Sequence, residues 1–216
     1  MEHDLTWEPI GVRPSSRLIQ IKQPRAKAAL AVQVHIGARE ASVMAEAAEY
    51  SVREHLRDDR PITIRALRPD DRAGMLAAIG RTSMQSLQRR FFVPKKGFSE
   101  REMAFFLDID FESHVAIVAE IPEDGSPIIA GGGRYIVVHP DRAEVAFVVV
   151  DAYQSQGIGT ILMRHLATLA RDAGLKELVA EVLPENTAML KLFRKIGFRT
   201  DAKGSHQVIH LTLQLH

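Results

Sequence analysis

A glycine-bearing turn between a predicted strand and a predicted helix carries the clearest chemical signal in this sequence. Residues 144–150 (EVAFVVV) are β-branched, aromatic and apolar after the first glutamate, which predicts a buried strand. Residues 161–172 form an amphipathic run typical of a helix. Residues 154–160 (QSQGIGT), which we call the elbow, connect the two. Because the first amides of a helix have no partner within it and lie at the positive end of its dipole, the elbow predicts a phosphate site.

Two common phosphate-binding loops do not fit the elbow. A nucleoside triphosphate loop needs a lysine after its last glycine, but Gly159 is followed by Thr160. A dinucleotide loop needs a further glycine at position 162, which is Leu162. The pattern that remains is Q-x-x-G-x-G, formed by Gln154, Gly157 and Gly159. Taken alone, these residues also fit a plain strand-to-helix turn.

The elbow resembles the corresponding turn of the GNAT family of N-acetyltransferases, in which strand four and helix three hold the pyrophosphate of acetyl-CoA. Residues 184–198 (PENTAMLKLFRKIGF) resemble a second block of that family, N-x-x-(A)-x-x-x-(Y/F)-x-x-x-G-F. The order of predicted elements from Ile62 to the end of the chain also matches the family. More narrowly, the stretches SLQRRFF, FFLDIDFESHVAIVAEI and VAEVLPEN resemble the catalytic domain of bacterial protein lysine acetyltransferases.

The resemblance implies an α/β fold: a mixed, mostly antiparallel sheet of about six to seven strands, splayed at strands four and five and flanked by helices. We predict that residues 61–216 form the N-acetyltransferase domain. Residues 1–60 would be an N-terminal extension with a possible strand at 28–36 and one amphipathic helix at 38–57. The apolar stripe of that helix would pack on the domain or form a homodimer contact. Residues 58–61 are predicted to be a linker.

Acetyl-CoA is the co-substrate that the resemblance implies. The backbone N–H groups of residues 156–160 would bind its pyrophosphate, with added side-chain bonds from Gln154 and Gln156. The backbone of residues 147–149 would pair with the pantetheine arm and direct one N–H group at the thioester oxygen. Asn186 would bond the same arm, cap the following helix, or do both. The predicted cofactor-binding residues are Phe147, Val148, Val149, Gln154, Gln156, Gly157, Ile158, Gly159, Thr160, Asn186 and Phe193.

Glu144 is the predicted catalytic base. An alkyl amine has a pKa of about 10.4 and reaches the enzyme protonated, so transfer to it needs a base. Glu144 begins an otherwise apolar strand, where related enzymes also place a glutamate, and burial there would raise its pKa. The alternative is an exposed strand-end residue paired with Arg142 or Arg134.

The sequence departs from the family at Phe193, where many members have a tyrosine that protonates the leaving thiolate. Either another group donates the proton or the thiolate leaves unaided. His206 and His210 lie four residues apart, but no third ligand is evident, so we predict no metal site. The glycines at residues 131–133 predict a bulge or a close approach of strands.

Composition sets wider bounds. The chain has 216 residues, a net charge of +1 and no cysteine, which argues against nucleic-acid binding, disulfides and a cysteine nucleophile. No apolar run reaches membrane-spanning length and the N-terminus does not resemble a secretory signal, so we expect a cytoplasmic protein that does not bind membranes. The predicted function is acetyl transfer to protein lysines. A small-molecule amine acceptor and a non-catalytic acyl-CoA-binding module remain alternatives.

Overall fold

A computed structural model describes residues 38–201 and 207–215 of the chain. The possible strand at residues 28–36 and His206 lie outside these ranges. None of the helices within them has the length and apolar character that a bilayer-spanning segment needs. The helices are α1 (Ala38–Ala48), α2 (Arg72–Gly80), α3 (Met84–Phe91), α4 (Glu100–Leu107), α5 (Ile158–Asp172) and α6 (Thr187–Ile196), and the strands are β1 (Ser51–His55), β2 (Pro61–Ala66), β3 (His114–Glu123), β4 (Ser126–His139), β5 (Arg142–Val149), β6 (Glu177–Val182), β7 (Arg199–Thr200) and β8 (Ile209–Gln214).

The strands of the described residues form one sheet in the order β1-β2-β3-β4-β5-β6-β8-β7. Only β5 and β6 are parallel within it, and they pair over just three residues, from Arg142–Glu177 to Glu144–Val179. Beyond Glu144 the two strands diverge. The predicted mixed sheet and its splay are confirmed. The sheet has eight strands rather than six to seven because β1 and β7 were not predicted, so the splay lies between the fifth and sixth strands.

The predicted helix at residues 38–57 is wrong beyond Ala48. Residues Ser51–His55 instead form β1, which pairs antiparallel with β2. The N–H of Leu56 donates to the carbonyl of Arg60 (2.9 Å), so the predicted linker at 58–61 is a hairpin turn. The edge of β2 has backbone N–H and C=O groups that need hydrogen-bond partners, and residues 51–55 provide them as a strand, which a longer helix would not do. The domain boundary at residue 60 stays a prediction, although β1 belongs to the same sheet.

Helix α1 packs on its own chain through Ala47, which is part of the hydrophobic core. Packing on the domain was one of the two predicted roles of the apolar stripe. The other role, a homodimer contact, stays a prediction.

The glycines at residues 131–133 let β4 lie close to its neighbours, as predicted. A Cβ atom on Gly133 would lie 2.8 Å from Leu166 Cδ1 of α5, and one on Gly131 would lie 2.9 Å from the carbonyl oxygen of Val148. The pairing of β3 with β4 also shifts here, so that Ala130 forms a bulge. Because the glycines carry no side chain, α5 packs directly on the centre of the sheet. The elbow connects the end of β5 to this helix.

Candidate active site

A cleft of about 360 Å³ opens where β5 and β6 diverge, between the elbow, α3 and α6. Clefts of this kind at the edge of splayed strands are typical ligand sites. Gln156 is the one predicted site residue that does not line this cleft. The predicted site residues that do line it are Glu144, Phe147, Val148, Val149, Gln154, Gly157, Ile158, Gly159, Thr160, Asn186 and Phe193.

The elbow has the backbone geometry of an anion site. Ser155 (φ +63°) and Gly157 (φ +100°) adopt left-handed conformations that turn the chain sharply before α5 begins at Ile158. The amides of Ile158 and Gly159 begin the helix, where no carbonyl of a preceding turn is available to accept their hydrogen bonds. Thr160 differs from the prediction, because its N–H already donates to the Gly157 carbonyl (3.0 Å). Its hydroxyl is therefore the donor that Thr160 can offer to a ligand.

The two glutamine side chains of the elbow form hydrogen bonds within the turn. The Gln154 amide nitrogen donates to the Val149 carbonyl (3.0 Å) and to Asp151 (2.9 Å). The Gln156 amide nitrogen donates to the Ala152 carbonyl (2.9 Å), while its oxygen accepts from Arg60. The predicted side-chain bond from Gln156 to a pyrophosphate stays a prediction, and the Gln156 oxygen already contacts Arg60. Gln154 lines the cleft, with its amide already engaged.

The backbone of residues 147–149 faces the opening between the strands. On one edge, Phe147 and Val148 pair with Gly133 and Gly132 of β4. On the other edge, the described pairing with β6 ends at Glu144. The N–H and C=O groups on that edge are thus directed into the cleft, where an extended ligand can pair with them as an added strand would.

Glu144 is buried, with 8% of its surface exposed, and it is not the exposed strand-end residue of the alternative interpretation. Arg142 pairs with Glu177, and Arg134 contacts His114. Arg90 of α3 interacts electrostatically with Glu144. Burial lowers the pKa of Arg90 to about 10, and the negative charge of Glu144 opposes that shift.

A second, more open cleft of about 310 Å³ meets the first at Glu144. Glu181, Asp201 and His210 also line it, and His210 lies 3.4 Å from Glu181. No group of three potential metal ligands occurs in residues 38–201 and 207–215. Glu144 therefore lines both clefts, the first with the elbow and the second with Glu181, Asp201 and Arg142.

Phe193 and Asn186 position α6 along the cleft. The Asn186 oxygen accepts from the N–H of Met189 (3.3 Å), which confirms the predicted cap. Phe193 is 2% exposed, and its ring packs against Phe147 (5.6 Å between centroids) and Phe198 (4.6 Å). Phe193 thus forms an apolar wall of the cleft.

Several cations in the cleft were not identified from the sequence. Arg57 was assigned to a helix, and nothing local in SLQRRFF shows that Arg90 faces Glu144. The two lysines of α6 lie within a recognised motif, but no pattern predicted their direction. The cationic lining residues are Arg57, Arg89, Arg90, Lys191 and Lys195.

A buried histidine–arginine contact lies beside the site and should control acid stability. The Arg134 guanidinium donates to His114 Nε2 (2.8 Å), and the His114 ring stacks on Phe105 (5.3 Å). Burial, and then the charge of Arg134, lowers the pKa of His114 from 6.5 to about 4. Between these values the unfolded chain binds a proton that the folded chain does not, so folding stability falls as pH drops from about 6.5 to about 4.

His114→Gln is expected to remove this part of the acid destabilisation, up to ~3 kcal/mol, while its amide oxygen still accepts from Arg134. Urea midpoints at pH 7 and pH 4.5 provide the measurement. His139→Gln, at an exposed histidine, should behave like the unsubstituted protein. Equal losses between the two pH values in the His114 variant and the unsubstituted protein would contradict this assignment.

Comparisons with known proteins agree with this geometry. The sequence model of the acetyltransferase (GNAT) family matches residues 81–198. The acetyltransferase PA5475 of Pseudomonas aeruginosa is 34% identical over 160 residues, which cover 73% of this chain and 86% of that protein. The acetyltransferase Pat of Mycolicibacterium smegmatis is 34% identical over 116 residues, 53% of this chain and 34% of that protein. The crystal structure of the GNAT domain of S. lividans PAT superposes with a TM-score of 0.71 and 29% identity, over 76% of this chain and 97% of that one.

Proposed function

The chain belongs to the acetyltransferase (GNAT) family, and we propose that it transfers the acetyl group of acetyl-CoA to lysine side chains of a protein. One observation carries the proposal: a helix-start anion site, an open strand edge and a buried carboxylate line the same cleft. Each of the three suits one part of the reaction. Acetyl transfer is supported by the similarity to PA5475 and Pat, which are acetyltransferases, and the choice of lysine rests on the resemblance of this sequence to bacterial protein lysine acetyltransferases.

The cleft is suited to bind acetyl-CoA in one defined direction. The amides that open α5 and the Thr160 hydroxyl are suited to the pyrophosphate, because they present donors at the positive end of the helix dipole. The open edge of residues 147–149 is suited to the pantetheine arm. An N–H group on this edge would stabilise the negative charge that develops on the thioester oxygen.

Glu144 is placed to accept the proton of the acceptor amine, directly or through a water. The Glu144 carboxylate first takes a proton from the ammonium group and passes it to solvent. The neutral amine nitrogen then attacks the acetyl carbonyl carbon and forms the C–N bond, and the excess proton that remains on that nitrogen passes to the Glu144 carboxylate. The tetrahedral intermediate then collapses, the C–S bond breaks and the electron pair leaves on sulfur. Arg90 interacts electrostatically with Glu144 and also lines the cleft.

The thiolate of coenzyme A leaves without a proton from position 193. Phe193 is buried and carries no proton to donate. A cysteine thiol has a pKa of about 8.5, far below that of an alcohol, so a thiolate is a fair leaving group near neutral pH. The second cleft, with Glu181 and Asp201, supports a positively charged acceptor beside Glu144.

A transfer assay with two acceptor panels tests this proposal. Radiolabelled acetyl-CoA is supplied with lysine-containing peptides and proteins, and separately with small amines that include free amino acids. We expect label on the lysine peptides and none on matched peptides that carry arginine at the same position. Label only on small amines would show a small-molecule acetyltransferase. Binding of acetyl-CoA with no label in either panel would show a regulatory acyl-CoA-binding module.

A further inference from the structure

The hairpin between β1 and β2 brings a cation into the cleft from outside the segment that the family model matches. Arg57 lines the cleft together with Gly157 and Thr160 of the elbow. It precedes residues 81–198, the segment that the family model covers. Arg57 therefore lies on a hairpin that precedes the segment matched by the family model.

Within the described part of the chain, Arg57 is an exposed arginine without an ion pair, as are Arg53 and Arg101, but unlike those two it lines the cleft. Several other arginines are neutralised. Arg60, Arg72 and Arg81 each form an ion pair with a carboxylate at 2.7 Å. Among the residues that the structure describes, no carboxylate lies within ion-pair distance of Arg57. Its neighbour Asp58 pairs with Arg60 instead. The guanidinium of Arg57 is thus available to an anion that enters the cleft.

Two contacts hold the hairpin against the elbow. Leu56, next to Arg57, is buried in the hydrophobic core. Arg60 pairs with Asp58 within the hairpin and also donates to Gln156, whose amide nitrogen bonds the Ala152 carbonyl. This connection holds the hairpin that carries Arg57 against the elbow.

We propose that Arg57 binds the 3′-phosphate of the ribose in coenzyme A. This inference rests on the proposed function, because it assigns one group of the same donor. The elbow amides take the pyrophosphate, and the ribose phosphate, which carries further negative charge at the outer end of the nucleotide, then needs an exposed cation at the rim. A guanidinium matches a phosphate with two parallel hydrogen bonds, which makes arginine well suited to this position.

Calorimetric titration with coenzyme A and with 3′-dephospho-coenzyme A tests the proposal. We expect Arg57→Ala to weaken coenzyme A binding by about tenfold to a hundredfold, the usual effect of losing a charged hydrogen bond. Binding of the dephospho form should be unchanged by the substitution. Arg53→Ala serves as the matched control, because Arg53 is an exposed arginine of β1 that does not line the cleft. It removes the same charge and should leave both affinities unchanged.

Three results would overturn the inference while leaving the proposed function in place. Equal weakening of both ligands by Arg57→Ala would place Arg57 on the pyrophosphate. No weakening of either would remove it from the site. If Lys195→Ala removes the preference for coenzyme A over the dephospho form and Arg57→Ala does not, the 3′-phosphate is assigned to α6. Failure of the unsubstituted protein to bind either ligand would instead contradict the proposed function itself, and the inference with it.

Discussion

Glu144→Gln is expected to lower kcat/KM for acetyl transfer by a factor on the order of 10²–10⁴, the usual contribution of a general base. The side chain keeps its shape but can no longer accept a proton from the amine. Because Glu144 lies beside the open edge of β5 and not at the elbow, the affinity for coenzyme A should change little. Steady-state kinetics and calorimetry on the same preparation measure the two quantities.

The pH–rate profile separates catalysis by Glu144 from a structural role. The acidic limb of kcat/KM should reflect ionisation of the base in the unsubstituted protein and should be absent in the variant. Glu185→Gln is the matched control, since this exposed carboxylate does not line the cleft. Full activity in Glu144→Gln, or an acidic limb that persists, would show that Glu144 is not the base.

Thr160→Asp is expected to weaken coenzyme A binding strongly without loss of stability. Thr160 is the third residue of α5 and lines the cleft. A carboxylate in the first turn is favoured by the helix dipole by about 0.3–1 kcal/mol, so the melting temperature should stay or rise. The same carboxylate would oppose the pyrophosphate at close range, which corresponds to roughly a 10²–10³-fold loss of affinity. Calorimetry and thermal unfolding test both effects.

Thr160→Asn controls for shape, because asparagine has nearly the size of aspartate and no charge. It should retain most of the affinity for coenzyme A. If the two variants lose affinity equally, the loss comes from the missing hydroxyl or from crowding, and not from charge. Undiminished binding by Thr160→Asp would move the pyrophosphate away from α5.

Most of the site could be predicted from the sequence because its residues lie close together in the chain. The strand, the left-handed Gly157 and the start of α5 follow one another directly in the chain, so their types and spacing largely determine the elbow. Glu144 is on the same strand as the open edge, and its position follows from that strand. Phe193 and Asn186 lie in one motif on α6, which the alternation of elements places beside β5.

Contacts between distant segments could not be predicted in this way. Residues 51–55 carry an apolar residue at a position that suits either a helix stripe or a strand, and the free edge of β2 decides for the strand. The Gln156 oxygen contacts Arg60, which lies 96 residues earlier. Local pattern contains no information on that partner. Arg57 was missed for the same reason, since its place at the cleft depends on the hairpin.

A crystal structure of the protein with coenzyme A tests the central claim most directly. The pyrophosphate should lie against the amides that open α5, the pantetheine arm should pair with residues 147–149, and the sulfur should end beside Glu144. Density for the nucleotide anywhere other than the elbow, or an arm that leaves the thiol on the far side of the sheet from Glu144, would contradict it.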